Sequence, residues 1–175
     1  MSSQTVSCCS GAAALGGLPT EEFSALDKLA VKLICLDSAF AAPLRKIGER
    51  IGQRIATEQA EKRLSLDAAL CAVVPACGLQ GAVESRFERT SAEEALLRIT
   101  GCAAALGYQI PNLGRTLCSF DAGVFEGFLR GVTGEEALTV EETACLGRGN
   151  TACEFAIYRR RVSAADAEGG AHGDG

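Results

Sequence analysis

Two cysteines that flank a glycine-rich turn constrain this chain more than any other feature. Cys145 and Cys153 are separated by seven residues, and the run Gly147-Arg148-Gly149-Asn150 between them has the composition of a hairpin turn. The flanking segments, 138–146 and 151–159, alternate as strands do. An odd number of intervening residues lets the two cysteines oppose each other directly across the hairpin, with β-carbons roughly 4.5–5.5 Å apart. That separation suits two thiolates around one metal ion, or a disulfide in an oxidising setting.

The number of cysteines and the N-terminal sequence bear on what these thiols do. The chain has nine cysteines, and its N-terminus shows no basic segment followed by a long apolar run, so we expect a cytoplasmic protein. Thiols in that compartment stay reduced, which favours metal or redox chemistry over a disulfide framework. An odd number of cysteines also excludes complete pairing within one chain.

The rest of the chain predicts an α+β fold, with N-terminal helices packed on an antiparallel sheet and a C-terminal metal-binding β-hairpin. The length of 175 residues fits one domain, which we place at 19–161 between flexible tails at 1–18 and 162–175. Apolar residues recur at helical spacing in some segments and alternate in others. The expected helices are 21–41, a second from Pro43 onward, 66–74 and 118–131, and the expected strands before the hairpin are 82–89 and 95–102.

Charge and hydropathy exclude several classes of function. A net charge of -5 argues against a general nucleic-acid or anionic-membrane surface, and no apolar run approaches the ~18 residues of a membrane-spanning helix. The only histidine, His172, lies in the C-terminal tail, which argues against a histidine base or a Ser/His/Asp triad. Asp121 shows no spacing that marks a general acid and base, and Glu126, opposite the phenylalanine stripe of its helix, is predicted to be solvated.

Three further residues lie where additional metal ligands would be needed. Glu142 precedes the first hairpin cysteine by three residues, so on a regular strand the two side chains point to opposite faces. A bulge at 143–144 would bring them together; without one, Glu142 is an exposed strand carboxylate. Cys118, at a helix start, and Cys102, at a strand end, are each better explained, taken alone, as small core residues.

The C-terminal half resembles a known family. The runs TLCSFDAGVFEGFLRGVTGEE and ALTVEETACLGRGNTACEFAIYRR are similar to the C-terminal signature of the 4-vinyl-reductase-like domain family, also called the predicted hydrocarbon-binding domain. That signature is a strand ending in a cysteine, a cysteine followed by an aromatic- and glycine-rich helix, and a Glu, Cys, Gly, Cys-aromatic hairpin. The resemblance covers about residues 80–160, and Ile47-Gly48 and Ile51-Gly52 are similar to the family's Ile-Gly-rich helix.

The resemblance implies a zinc site. In the aromatic-sensing members of the family, zinc is held by a cysteine at the helix start, the glutamate and the two hairpin cysteines. Carried over residue by residue, the implied ligands are Cys118, Glu142, Cys145 and Cys153. The interval from Cys118 to Glu142 is slightly longer than in those sensors, so Cys102 or water stays open as the fourth ligand. Three thiolates and one carboxylate leave no position for a substrate, which makes such a zinc structural.

Three functions remain as alternatives. The resemblance implies a binding or sensing module for a small hydrophobic or aromatic ligand, acting through a homodimer or a separate output protein. An enzyme or accessory factor of tetrapyrrole metabolism, concerned with the bacteriochlorophyll 4-vinyl group, is the second, although the sequence carries no dinucleotide or flavin motif. A scaffold that docks partners by its helices is the third, and it gives the hairpin cysteines no purpose. The aromatic side chains that could line a ligand cavity, and that serve equally as core, are Phe87, Tyr108, Phe120, Phe125 and Phe128.

Overall fold

The structure is a computed structural model that describes residues 4–6, 20–59, 63–77, 79, 84–91, 94–102 and 110–160. Its strands are β1 (Gln4–Val6), β2 (Glu84–Arg89), β3 (Glu94–Thr100), β4 (Leu138–Ala144) and β5 (Cys153–Arg159). They form one antiparallel sheet in the order β1-β2-β3-β5-β4. The helices among the described residues are α1 (Thr20–Leu36), α2 (Ala41–Gln59), α3 (Leu66–Ala76) and α4 (Ser119–Thr133).

The predicted α+β class is confirmed, and its helices differ from the expected ones mainly at their ends. The first helix stops at Leu36 instead of residue 41, because the Asp37 side chain accepts a hydrogen bond from the amide of Ala39 and starts a 3-10 turn, Ser38–Phe40. Ser65 caps α3 as expected, and Pro75 lies within its last turn. The expected strand 95–102 ends at Thr100 because Gly101 has a φ of 86°, which leaves Cys102 outside the strand.

Helices α2 and α4 approach each other with almost no space between their backbones. A β-carbon added to Gly52 would lie 2.1 Å from the carbonyl oxygen of Val124, and one added to Gly127 would lie 2.0 Å from that of Glu49. Both distances are far below van der Waals contact, so each position admits only glycine. The Ile-Gly repeats of α2 therefore pack directly against the glycines of α4, and α4 in turn lies against β4.

The edge strand β4 is closed by a buried ion network, where the sequence predicted a solvated Glu126. That prediction is wrong: Glu126 is only 6% exposed. Its carboxylate accepts from the amide of Val140 at 2.9 Å and pairs with Arg45 at 2.5 Å and Arg130 at 2.9 Å. Arg45 also donates to the Val140 carbonyl and Arg130 to the Leu138 carbonyl. The helices thus satisfy backbone groups that an edge strand otherwise leaves unpaired.

The ends of the chain fit the expected boundaries only in part. Gln4–Val6, within the segment predicted as an N-terminal tail, pairs with β2 as an edge strand. Residues 7–19 and 161–175, and with them His172, lie outside the described residues, so the domain limits 19–161 stay a prediction. Cys71 is disulfide-bonded, which departs from the expectation that all the thiols stay reduced. No helix in the described part of the chain has the length and hydropathy of a membrane-spanning segment.

Candidate metal centre

Four side chains converge where the β4–β5 hairpin meets the start of α4. One ligand atom from each of Cys118, Glu142, Cys145 and Cys153 lies within 4.8 Å of the other three. The three cysteines are buried and Glu142 is half-buried, and the sulfurs of Cys118 and Cys153 are 3.7 Å apart. Sulfurs about 2.3 Å from a tetrahedral zinc would be separated by about 3.8 Å. The spacing of these two thiols matches that geometry.

The backbone of β4 explains how Glu142 reaches this cluster. Glu142 pairs with Phe155, whereas Ala144 pairs with Glu154, so the ladder shifts by one residue between them. This is the irregularity that the spacing required. Directly paired residues point to the same face of a sheet, and Cys153 lies two residues before Phe155, so Glu142 and Cys153 share the face that α4 covers.

Cys145 lies just beyond the strand, not in the ladder opposite Cys153 as the hairpin pattern predicted. It caps the 3-10 turn Leu146–Arg148, and Cys153 pairs instead with Ile99 of β3. Gly149, with a φ of 83°, ends that turn. The register of Ala144 with Glu154, continued by one residue, still brings Cys145 to the level of Cys153. The two thiols therefore lie in one cluster although only one of them belongs to the sheet.

Backbone amides already favour negative charge on two of the four ligand groups. The sulfur of Cys145 accepts from the amides of Leu117 at 3.3 Å and Gly147 at 3.4 Å. One oxygen of Glu142, Oε2, accepts from the amide of Cys118 at 2.9 Å. Hydrogen bonds of this kind stabilise a thiolate or carboxylate over its protonated form. The cluster is therefore arranged to receive a cation.

Without a cation, the four acidic groups disfavour one another's charge. Burial, together with the neighbouring Cys145, raises the pKa of Glu142 to about 8. Hydrogen bonds with Cys145 and Cys153, and then burial, raise the pKa of Cys118 well above its ordinary value. The second oxygen of Glu142, Oε1, is buried and has no hydrogen-bond partner. A divalent cation would satisfy that oxygen and reverse both pKa shifts, so the residues present fit a bound metal.

Cys102, the alternative fourth ligand, is not one of the four residues that converge here. It is half-buried, and its sulfur lies 3.9 Å from the carbonyl oxygen of Ile99. That distance is at the outer limit of a weak thiol hydrogen bond. Its position after the strand, and not at its end, accounts for the separation.

A pair of buried carboxyl groups next to the cluster escaped the sequence interpretation. Asp121 of α4 is 8% exposed and shares a hydrogen bond with Asp27 of α1. Burial raises the pKa of Asp27 to about 6 and the pKa of Asp121 well above its ordinary value, and one oxygen of each group has no hydrogen-bond partner. The two residues are far apart in sequence, so the only available signal was an acidic residue on the apolar side of each helix.

The predicted aromatic lining residues lie in the hydrophobic core. The ring of Phe125 packs edge-on against Phe155 at 5.1 Å between centroids, and Phe120 packs against Phe23 at 5.9 Å. Phe87 and Phe128 are likewise buried, and none of the four predicted phenylalanines is more than 3% exposed. Tyr108 lies outside the described residues. A ligand enclosed by these rings would therefore be shielded from solvent.

The sequence around this cluster corresponds to a recognised domain. Residues 97–159 match the 4-vinyl-reductase domain family. This confirms the resemblance found in the sequence, and the matched region includes all four converging residues. An uncharacterized protein of Methanocaldococcus jannaschii is 33% identical over 72 residues, which are 41% of this chain and 43% of that protein. The chain therefore matches less than half the length of this relative.

Two solved structures share the fold of the matched region and the helices before it. One is subunit 3 of the trafficking protein particle complex from Naegleria fowleri, covalently bound to palmitic acid, with a TM-score of 0.60, 17% identity and coverage of 81% of this chain and 95% of that chain. The other is the phenol-responsive sensory domain of the transcription activator PoxR with phenol, with a TM-score of 0.52, 15% identity and coverage of 78% and 74%. At these identities the similarity establishes the fold alone.

Proposed function

We propose that this protein binds a small hydrophobic or aromatic ligand and that a structural zinc ion fastens the fold around the ligand. The observation that carries the proposal is the convergence of Cys118, Glu142, Cys145 and Cys153 within 4.8 Å, with a buried oxygen of Glu142 lacking a partner. Four protein ligands close the coordination sphere of zinc and leave no position for a substrate. The metal therefore holds structure and does not act on the ligand.

The role of the zinc follows from the elements that it would join. Cys118 begins α4, Glu142 and Cys145 belong to the first half of the hairpin, and Cys153 begins β5. A metal held by all four residues links the helix that carries most of the phenylalanines to the end of the sheet. Because coordination requires the folded arrangement, its free energy stabilises that arrangement.

The ligand class is supported by two features of the chain. The core between α4 and the sheet is aromatic, with Phe87, Phe120, Phe125 and Phe128 all buried. Proteins that share this fold at low identity carry palmitic acid or phenol in their structures. We infer that this chain takes a ligand of similar hydrophobic character among these rings, and that its signal passes through a homodimer or a separate output protein.

Native mass spectrometry of protein purified without added metal tests both parts of the proposal. We expect one zinc per chain and a co-purifying apolar molecule that solvent extraction releases. Protein that carries no stoichiometric metal after purification under reducing conditions would contradict the metal assignment. A bound tetrapyrrole would instead favour the alternative role in bacteriochlorophyll 4-vinyl metabolism. If the purified chain carries no molecule and none of phenol, toluene or palmitate binds it in calorimetry, the ligand assignment is wrong.

A further inference from the structure

The apolar side chains that the described residues expose are concentrated at one corner of the molecule. The large ones lie on α1, on the 3-10 turn after it and on α2, with Leu113 as the exception. Leu36 is 81% exposed, more than any other of these residues. The remaining members are Leu26 at 41%, Leu29 at 54%, Phe40 at 42% and Ile47 at 50%. We call these five residues the corner surface.

The corner surface is a second apolar stripe, separate from the one that each helix buries. On α1, Leu29 and Leu36 are seven residues apart and share one side, whereas Phe23, Ala30 and Ile34 are buried on another. Phe40 and Ile47 are also seven residues apart, while Gly48 faces α4. A helix with two apolar stripes is typical of one that packs on two sides.

We propose that a second copy of this chain docks on the corner surface, through Leu29, Leu36, Phe40 and Ile47. Exposed apolar patches on monomers rarely exceed about 300–600 Å² and are often functional at that size. Five large side chains, each 41–81% exposed, together with their polar rim make a surface of the order of the ~800 Å² per partner that a stable interface requires. Helix stripes of leucine and isoleucine are self-complementary across a two-fold axis.

The charges around the corner surface favour a protein copy over an anionic membrane. The rim carries both signs: Lys46 and Arg50 are exposed, and so are Asp37 beside Leu36 and Glu58, which already pairs with Arg54 at 2.9 Å. Rim residues of both signs can pair across two copies. The chain as a whole has a net charge of -5, which opposes approach to anionic lipid.

The corner surface is tied directly to the loop that enters the metal centre. The guanidinium of Arg115 donates to the carbonyl oxygens of Ile34 at 2.9 Å and Cys35 at 3.0 Å, next to Leu36 at the end of α1. The amide of Arg115 donates to the carbonyl of Gly147, whose own amide donates to the sulfur of Cys145. A displacement of the metal loop is therefore transmitted through Arg115 to the docking surface.

Sedimentation velocity and light scattering on a dilution series of the full chain test this inference. We expect a dimer for the wild type, and a monomer at the same concentrations for the double variant Leu36→Glu, Ile47→Glu, because each glutamate would be buried without a partner. Leu113→Glu is the matched control, since Leu113 is 39% exposed and lies outside the corner surface. We expect that control to remain a dimer, and circular dichroism checks that each variant is folded.

Three results would overturn the inference. The first is a wild type that stays monomeric up to about 100 μM, with or without binding to phosphatidylserine vesicles. The second is a dimer that persists unchanged in the double variant. The third is a control that dissociates as readily as the double variant. If the double variant does not fold, Leu29→Lys and Phe40→Ser take its place with the same expected outcome. None of these results depends on zinc or ligand binding, so the two proposals can fail independently.

Discussion

The amide of Cys118, the residue that caps α4, donates a hydrogen bond to Oε2 of Glu142 at 2.9 Å, whereas Oε1 of the same carboxylate is buried without a partner. One oxygen thus ties the bulged strand to the N-terminal end of a helix, where backbone amides and the helix dipole favour negative charge. The other oxygen remains available to a cation. The two atoms give Glu142 separable roles in backbone contact and in metal binding.

Replacing Cys145 with serine is expected to remove zinc and to lower the melting temperature together. A closed thiolate-rich site couples coordination to folding, so losing one thiolate weakens both. Cys102→Ser is the matched control, because Cys102 is half-buried but is not among the converging residues. We expect it to retain zinc. Zinc quantification beside thermal melting measures both effects, and loss of zinc in the control would place Cys102 in the metal site.

Replacing Glu142 with glutamine is expected to have a milder effect than the loss of a cysteine. The amide retains an oxygen for the Cys118 N–H but removes the negative charge, so zinc affinity falls while three thiolates still hold the fold. Competition with a chelator, together with thermal melting, measures the difference. A glutamine variant that equals the wild type in zinc affinity and in melting temperature would show that Glu142 is not a ligand.

Replacing Asp27 with asparagine is expected to stabilise the protein at neutral pH but not at acid pH. The pKa of Asp27 is raised from 3.8 to about 6, so the folded state holds its proton more tightly than the unfolded state. The contribution of Asp27 to stability is therefore present in full below pH 3.8 and is lost as the pH rises through about 6. Asparagine does not titrate and avoids this loss.

Urea unfolding of wild type and Asp27→Asn at several pH values between about 5 and 8 tests the expectation. The difference between the two proteins removes the pH dependence of metal binding that they share. The groups nearest to Asp27 are Asp121, which shares its hydrogen bond, and Lys28, which opposes the shift. We expect the advantage of the asparagine variant to grow with pH, to as much as about 3 kcal/mol. An advantage that is constant over this range would contradict the assignment.

Replacing Glu126 with glutamine is expected to destabilise the fold by about 1.5–3 kcal/mol, since Arg45 and Arg130 lose a charged hydrogen-bond partner. Glu58→Gln is the control, because Glu58 forms an exposed ion pair with Arg54 on the same helix as Arg45, and its removal is expected to cost less than about 1 kcal/mol. Chemical denaturation measures both. Equal effects in the two variants would mean that Glu126 does not hold β4.

The sequence by itself determined the elements and the kinds of ligand. Helical spacing and the glycine-rich turn predicted α2, α4 and the hairpin, because periodicity and turn chemistry are local properties. The glycine pattern also marked the helix that approaches α4. Cysteine spacing, with the family resemblance, named Cys118, Glu142, Cys145 and Cys153 as candidate ligands.

Only the tertiary structure decided which of these side chains meet. The one-residue shift in the β4–β5 register brings Glu142 to the face shared with Cys153, and Cys145 enters the cluster from a 3-10 turn outside the sheet. Glu126 is buried because the unpaired backbone of β4 and two arginines surround it, and Asp27 meets Asp121 across two helices. Each of these contacts joins residues distant in sequence, and their energies depend on burial. A local pattern contains no term for either.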